Sequence, residues 1–210
     1  MFLMMKRLTD ITFSFIGLIL LSPIFLFLMI AVKLDSRGPV FFKQKRFGIN
    51  KTHFHILKFR TMSIDTPKDI PTHLLENPEQ YITRMGKFLR KTSLDELPQI
   101  WNIFVREMSI IGPRPALWNQ NDLIAHRDKY GANNVQPGLT GWAQINGRDE
   151  LPIEVKARLD GEYARKISFW MDIKCFFLTI IRVVKNDGVV EGGTGVTGTI
   201  GKRSSEDRGL

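Results

Sequence analysis

Cysteine is nearly missing from this chain of 210 residues, where Cys175 is the single example. An internal disulfide and any multi-cysteine metal site are thereby excluded, and the apolar run "CFFLTII" around it marks a buried, inert thiol. Acidic residues are also in short supply, 21 Asp and Glu against 30 Lys and Arg, for a formal charge of +9. That surplus favours polyanionic company: nucleic acid, anionic lipid headgroups or a phosphorylated substrate. No Ser-His-Asp pattern, cysteine nucleophile or zinc motif competes for a catalytic role. His53 and His55 share one face of an expected strand without a cysteine or a suitably spaced carboxylate, which argues against a metal site there. Two nucleotide signatures are incomplete. "GTGVTG", Gly193 to Gly198, has the glycine spacing of a dinucleotide fingerprint but no preceding strand, following helix or later acidic ribose ligand. Gly201-Lys202 lacks both the first glycine and the Ser or Thr of a P-loop.

Charge is absent altogether from Ile11 to Val32, a run of 22 residues. As an α-helix it measures roughly 33 Å, long enough for a bilayer core of about 30 Å. A signal peptide has a shorter apolar region ending at small residues, whereas this run continues into Lys33, Asp35 and Arg37, so the segment is expected to be retained. Ser22 and Pro23 interrupt it near the middle. The proline removes a helical hydrogen bond, and the freed carbonyl needs a partner such as the serine hydroxyl. Lys6 and Arg7 on one flank and Lys33 and Arg37 on the other leave the direction of crossing open. On residue physics alone the expectation is a single crossing with a mild kink.

What remains, with 43% hydrophobic residues over the whole chain, is enough for one sizeable core. Two β-rich runs flank the turn Gly48-Ile49-Asn50 and predict a hairpin. The two-residue period puts Phe54, Ile56, Lys58 and Arg60 on one face of its second strand. Asp65 to Glu79, with three prolines, reads as a mobile surface loop. A helix is expected from about Tyr81 to Lys91, then "KTSLDELPQIWNIF". Here Ser93 and Glu96 fit a capping box, although Pro98 argues for a helix starting nearer Leu97. Either way Asp95 and Glu96 sit at a helix amino end, as dipole decoration or as chemistry. In "IIGPRPALW", Pro113 and Pro115 clamp the backbone around Arg114, preorganising its guanidinium for a phosphate or carboxylate. A short strand through Trp142 to Ile145 and a turn presenting Arg148 follow. A charged helix spans Leu151 to Lys166, and an amphipathic helix spans Ile167 to Lys185. The apolar face of the second, with Phe169, Trp170, Phe176, Phe177, Leu178 and Ile181, suits lipid or a domain core equally. Carboxylates together with Lys58, Arg60, Arg90, Arg114 and Arg148 point to phosphoryl chemistry: cations neutralise a pyrophosphate, and an ionised Asp serves as Mg²⁺ ligand or nucleophile.

The segments "KRLTDITFSFIGLILLSPIFLF", "KFRTM", "RKTSLDELPQIWNI", "MSIIGPRP", "PGLTGWAQINGR" and "ISFWMDIK" together closely resemble the bacterial sugar transferases, the small monotopic phosphoglycosyl transferases. The resemblance runs in order from Lys6 to Lys185. With no polytopic region before Lys6, the chain is expected to be the minimal catalytic form. The resemblance implies transfer of a sugar-1-phosphate from a UDP-sugar to undecaprenyl phosphate with Mg²⁺, giving undecaprenyl-diphosphate-sugar and UMP. It implies that Asp95 is the nucleophile, with Glu96 its partner near the metal. It also implies that Lys58, Arg114 and Arg148, and less strongly Arg90, hold phosphates, and that Asp160 and Asp172 fall at acidic positions of open role. The implied fold is a helix-rich α+β protein with three parts. Residues 1–37 hold a re-entrant membrane helix broken at Ser22 and Pro23, replacing the single crossing. Residues 38–188 form a catalytic domain with amphipathic interfacial helices against the cytoplasmic face of the inner membrane, and 189–210 form a flexible Gly-rich tail. Membrane lipid is then a partner, nucleic acid is not, and a homo-oligomer is compatible with the sequence. Asp149-Glu150 stand where some members carry uncharged residues, so the sugar is not named. A rival reading, a membrane-anchored basic binding protein without catalysis, accounts for charge and anchor but not for the carboxylate pair.

Overall fold

The computed structural model describes residues 2–66, 77–147 and 151–184. Arg148, Asp149, Glu150, Lys185, most of the proline-rich loop and the whole Gly-rich tail lie outside the described residues. The described residues form a helix-rich α+β protein with two small two-stranded sheets.

Helices α1 (Phe2–Leu20) and α2 (Ser22–Asp35) meet at an angle of 63°, far more than a mild kink. Pro23 has no N–H for the Ile19 carbonyl, and the Ser22 hydroxyl donates to that carbonyl instead at 2.7 Å. Among the described residues no single helix is long and apolar enough to cross a membrane. α1 is inside out by the standards of a soluble helix: Asp10 and Ser14 are its buried residues, while Leu3, Phe13, Phe15 and Leu20 are exposed. The buried polar face is stitched to the rest of the protein. Asp10 accepts from Ser109 Oγ at 2.7 Å and from the Ile110 N–H at 3.1 Å, and Arg7 donates to the Met108 carbonyl at 2.8 Å.

The predicted hairpin is present as β1 (Phe41–Phe47) and β2 (His53–Phe59), in antiparallel register from Phe47 opposite His53 to Phe41 opposite Phe59. Asn50 and Lys51 take positive φ in its turn. The inner face follows the expected period: Phe54 and Ile56 pack with Ile103 and Met108, and His53 and His55 face out. Arg60 does not project beside Lys58 into a common site. It is buried, and its Nη2 donates to the Ser36 carbonyl at 2.7 Å, tying the end of β2 to the end of α2.

α3 (Arg84–Thr92) begins later than expected because Pro78–Tyr81 forms a separate 3₁₀ turn and Thr83 supplies the N-cap, accepting from the Gly86 N–H at 2.9 Å. After α4 (Gln99–Phe104), strand β3 (Ser109–Ile111) runs parallel to β4 (Gly138–Thr140), with α5 (Asn121–Asp128) in the connection. Gly112 and Gly138 permit this close approach, since a Cβ on either would collide with the backbone around the other. The strand expected through Trp142 to Ile145 is instead helix α6. Trp142 and Ile145 both pack on the cluster of Ile111, Tyr163 and Cys175; residues three apart reach one side from a helix but opposite sides from a strand.

The last two helices are α7 (Ile153–Lys166) and α8 (Phe169–Val184), close to the expected bounds. α8 combines both readings of its apolar face. Met171, Cys175 and Leu178 pack inward, whereas Phe169, Trp170, Phe176, Phe177 and Ile181 are exposed.

Candidate active site

The carboxylate pair lies on a 3₁₀ turn, Leu94–Glu96, and not in a capping box. Ser93 adopts φ 57°, ends α3 through a bond from its N–H to the Arg90 carbonyl, and makes no side-chain cap. Glu96 does not close a box: the Ser93 N–H is given to the Arg90 carbonyl, and the Glu96 carboxylate turns to two cations. Lys58 Nζ and Arg114 Nη2 each donate to Glu96 Oε1 at 2.8 Å. Pro98 precedes Gln99 at the start of α4, where its missing N–H costs nothing.

Asp95, beside it, is held more loosely. Its Oδ2 accepts from Lys58 at 3.4 Å, and among the described residues its Oδ1 takes no hydrogen bond. The two neighbours therefore titrate in opposite directions. Burial raises the Asp95 carboxyl above the ordinary range, with Lys58 pulling against it and Glu96 adding to it. Burial also acts on Glu96, but Arg114 and Lys58 together outweigh it and hold that carboxyl well below the usual range. Glu96 is thus an ionised tether for two cations, while Asp95 keeps lone pairs available. Adjacent groups driven apart in this way mark distinct chemical roles.

Each cation arrives from a different element. Lys58 comes from β2, whose backbone is pinned to α4 by buried Asn102: its Oδ1 accepts from the Leu57 N–H and its Nδ2 donates to the His55 carbonyl, both at 2.9 Å. Arg114 comes from the loop after β3, half-buried between the buried prolines 113 and 115. Arg90 stands on α3, donates through Nε to Thr61 Oγ1 at 3.0 Å, and its charge opposes the burial that raises the Asp95 carboxyl.

The remaining acidic candidates do not join the pair. Asp160 is buried on α7 against Arg127, at 2.9 Å from Nε and 2.6 Å from Nη2. Asp172, on α8, accepts from Lys6 at 2.7 Å and from the Tyr163 hydroxyl at 2.6 Å, linking α1 to the body of the protein. Asn102 and Arg127 were not picked out from sequence, because their bonds to His55, Leu57 and Asp160 cross 33 to 47 residues and no local pattern announces them. Asp10 is a charge on the flank of an apolar run, a signal that could have marked a buried tie.

A divalent cation suits the donor set. Carboxylate oxygens are hard ligands, and Asp95 Oδ1 is uncommitted. Among the described residues no group of three or more His, Cys, Asp or Glu could hold a metal, so further ligands would be phosphate oxygens and water, the usual pattern for Mg²⁺.

Two carboxylates shifted in opposite directions, beside a lysine and an arginine, are groups that phosphoryl transfer can use. The sequence pattern of the bacterial sugar transferase family matches residues 1–186, and the chain belongs to that family. It is 42% identical over 191 residues to an undecaprenyl-phosphate glucose phosphotransferase of Komagataeibacter xylinus, covering 85% of this chain and 36% of that protein. It is 40% identical over 192 residues to the UDP-glucose:undecaprenyl-phosphate glucose-1-phosphate transferase of Escherichia coli K12, covering 85% of this chain and 40% of that protein. The chain thus spans well under half the length of these two relatives. It spans 91% of the uncharacterized sugar transferase EpsL of Bacillus subtilis, at 39% identity over 187 residues and 89% of this chain.

Proposed function

We propose that the chain transfers a sugar-1-phosphate from a UDP-sugar to undecaprenyl phosphate, giving undecaprenyl-diphosphate-sugar and UMP, as a first membrane step of polysaccharide or glycoconjugate assembly. The observation that carries this reading is the unequal environment of Asp95 and Glu96 beside Lys58 and Arg114. The names of the relatives support the donor and the acceptor.

In this reading a carboxylate oxygen of Asp95 attacks the phosphorus that bears the sugar. The bond from that phosphorus to the oxygen bridging to the nucleotide phosphate breaks, and UMP leaves with the electron pair. A phosphate oxygen of undecaprenyl phosphate then attacks the same phosphorus, the aspartyl bond breaks, and Asp95 returns as a carboxylate. Lys58 and Arg114, gathered by Glu96, neutralise phosphate oxygens during both displacements, and Arg148 is assigned to the same task from the family resemblance. Asp95, and Glu96 through the oxygen that Lys58 and Arg114 do not take, would hold Mg²⁺, which would further neutralise the pyrophosphate. Because the nucleotide leaves before the lipid is needed, kinetics should be ping-pong. A burst of UMP near one equivalent per chain should appear without polyprenyl phosphate; UMP released only after lipid is added would mean direct attack by the lipid in a ternary complex.

The bent pair α1–α2 is read as a re-entrant membrane element in the bacterial inner membrane, residues 1–37, with 38–188 on the cytoplasmic face. The 63° break and the exposed apolar surfaces of α1, α2 and α8 support this. Labels placed at Phe2 and on the hairpin turn should both be reached from the cytoplasm, and periplasmic labelling at Phe2 would refute the re-entrant reading.

A further inference from the structure

The segment that presents Arg114 is fixed at several backbone points. The Gly112 N–H donates to the Thr140 carbonyl at 2.8 Å. The Gly138 N–H donates to the Pro113 carbonyl at 2.9 Å. Arg127 Nη2 donates to the carbonyl of Arg114 itself, also at 2.9 Å. Arg127 is aimed by Asp160, which takes both Nε and Nη2 on Oδ2. Asp160 thus acts on the segment from α7, through Arg127. Pro113 and Pro115 fix the backbone on either side of Arg114.

The Arg127–Asp160 pair is a poor device for stability alone. Both residues are buried, 4% and 1% exposed, and among the described residues Asp160 Oδ1 has no hydrogen-bond partner. Apolar residues of similar volume at such a place are often as stable or more so. They could not, however, donate a hydrogen bond to the Arg114 carbonyl. We propose that Arg127 and Asp160 are positioning residues of the transfer reaction: Asp160 orients Arg127, and Arg127 sets the Arg114 backbone and so the place where its guanidinium meets phosphate. This rests on the reading of Arg114 as a phosphate-binding group.

The test is a double-mutant cycle on the full-length chain, with a UDP-sugar it turns over and undecaprenyl phosphate. One arm is the paired replacement Arg127→Met with Asp160→Leu, the other Arg114→Lys. The paired replacement should keep a near-native thermal midpoint and lose about 10²-fold in kcat, the scale of a misplaced catalytic group. Arg114→Lys, which keeps the charge but loses the fork, should lose a similar factor. Combined, they should lose little beyond either alone, because a pair acting through Arg114 has nothing left to position. Losses that multiply, or native kcat in the paired replacement, would overturn the proposal. If the paired replacement does not fold, Arg127→Lys takes its place with the same expectation of coupling to Arg114→Lys, and multiplying losses again refute it. An unmodified chain that turns over no UDP-sugar would refute the functional reading itself; turnover with multiplying losses refutes only the role given to Arg127 and Asp160.

Discussion

Two clusters of opposite charge, one at the turn before α4 and one under α7, are built from the same kinds of group and differ in what they leave unused. At Asp95 and Glu96, two carboxylates meet two cations at a partly accessible corner, and the interactions fall mainly on Glu96. At Asp160 one carboxylate meets one guanidinium in the core. Both Asp95 and Asp160 are raised by burial and pulled down by a cation. Yet the Asp95 side chain is 12% exposed, with an oxygen that takes no hydrogen bond among the described residues, whereas the spare oxygen of Asp160 is sealed away. A shifted carboxyl is therefore no mark of chemistry by itself; access to its free lone pair separates the two.

The contrast breaks most sharply under isosteric amidation. Asp95→Asn should lower turnover by on the order of 10⁴-fold or more, as removal of a nucleophile does elsewhere. It should leave the thermal midpoint at or above that of the unmodified chain. The folded pKa of Asp95 is raised, so its contribution to stability is complete below the unfolded pKa and declines as pH rises through the folded one; at neutral pH the amide removes a cost. Asp160→Asn should do the reverse to stability, leaving Arg127 buried without its partner at a cost of about 3–5 kcal/mol in thermal or denaturant unfolding. Equal stability of the two variants would erase the distinction. The smallest effect sharpens it through pH. The attacking form of Asp95 is ionised, so kcat/KM should fall as pH drops through its raised pKa. Lys58→Met removes the cation that pulls this pKa down, and the acid limb of kcat/KM should move to higher pH, whatever the height of the profile. A limb that stays in place would assign it to another group.

Local signals reached much of this. The turn Gly48-Ile49-Asn50 between β-rich runs located the hairpin, and the two-residue period put Lys58 on the inner face that leads to Glu96. The proline clamp singled out Arg114. What stayed hidden depends on partners far along the chain. β3 and β4 are only three residues each and pair across 29 positions, so neither carries a periodic pattern of its own. Ser93 and Glu96 matched a capping box by spacing, but Lys58 and Arg114 won the carboxylate. Asp160 and Asp172 were visible as acids, yet their roles rest on Arg127 and Lys6, from 33 and 166 residues away.

The central claim is that Asp95, and not its tethered neighbour, takes the phosphosugar. Intact-protein mass on a rapid-quench timescale, with a UDP-sugar the chain turns over, Mg²⁺ and no lipid, tests it most directly. The unmodified chain should gain one phosphosugar, mapped to Asp95. Glu96→Gln should gain it at the same residue more slowly, and Asp95→Asn should gain none. An adduct that persists in Asp95→Asn, or maps to Glu96, would contradict the account.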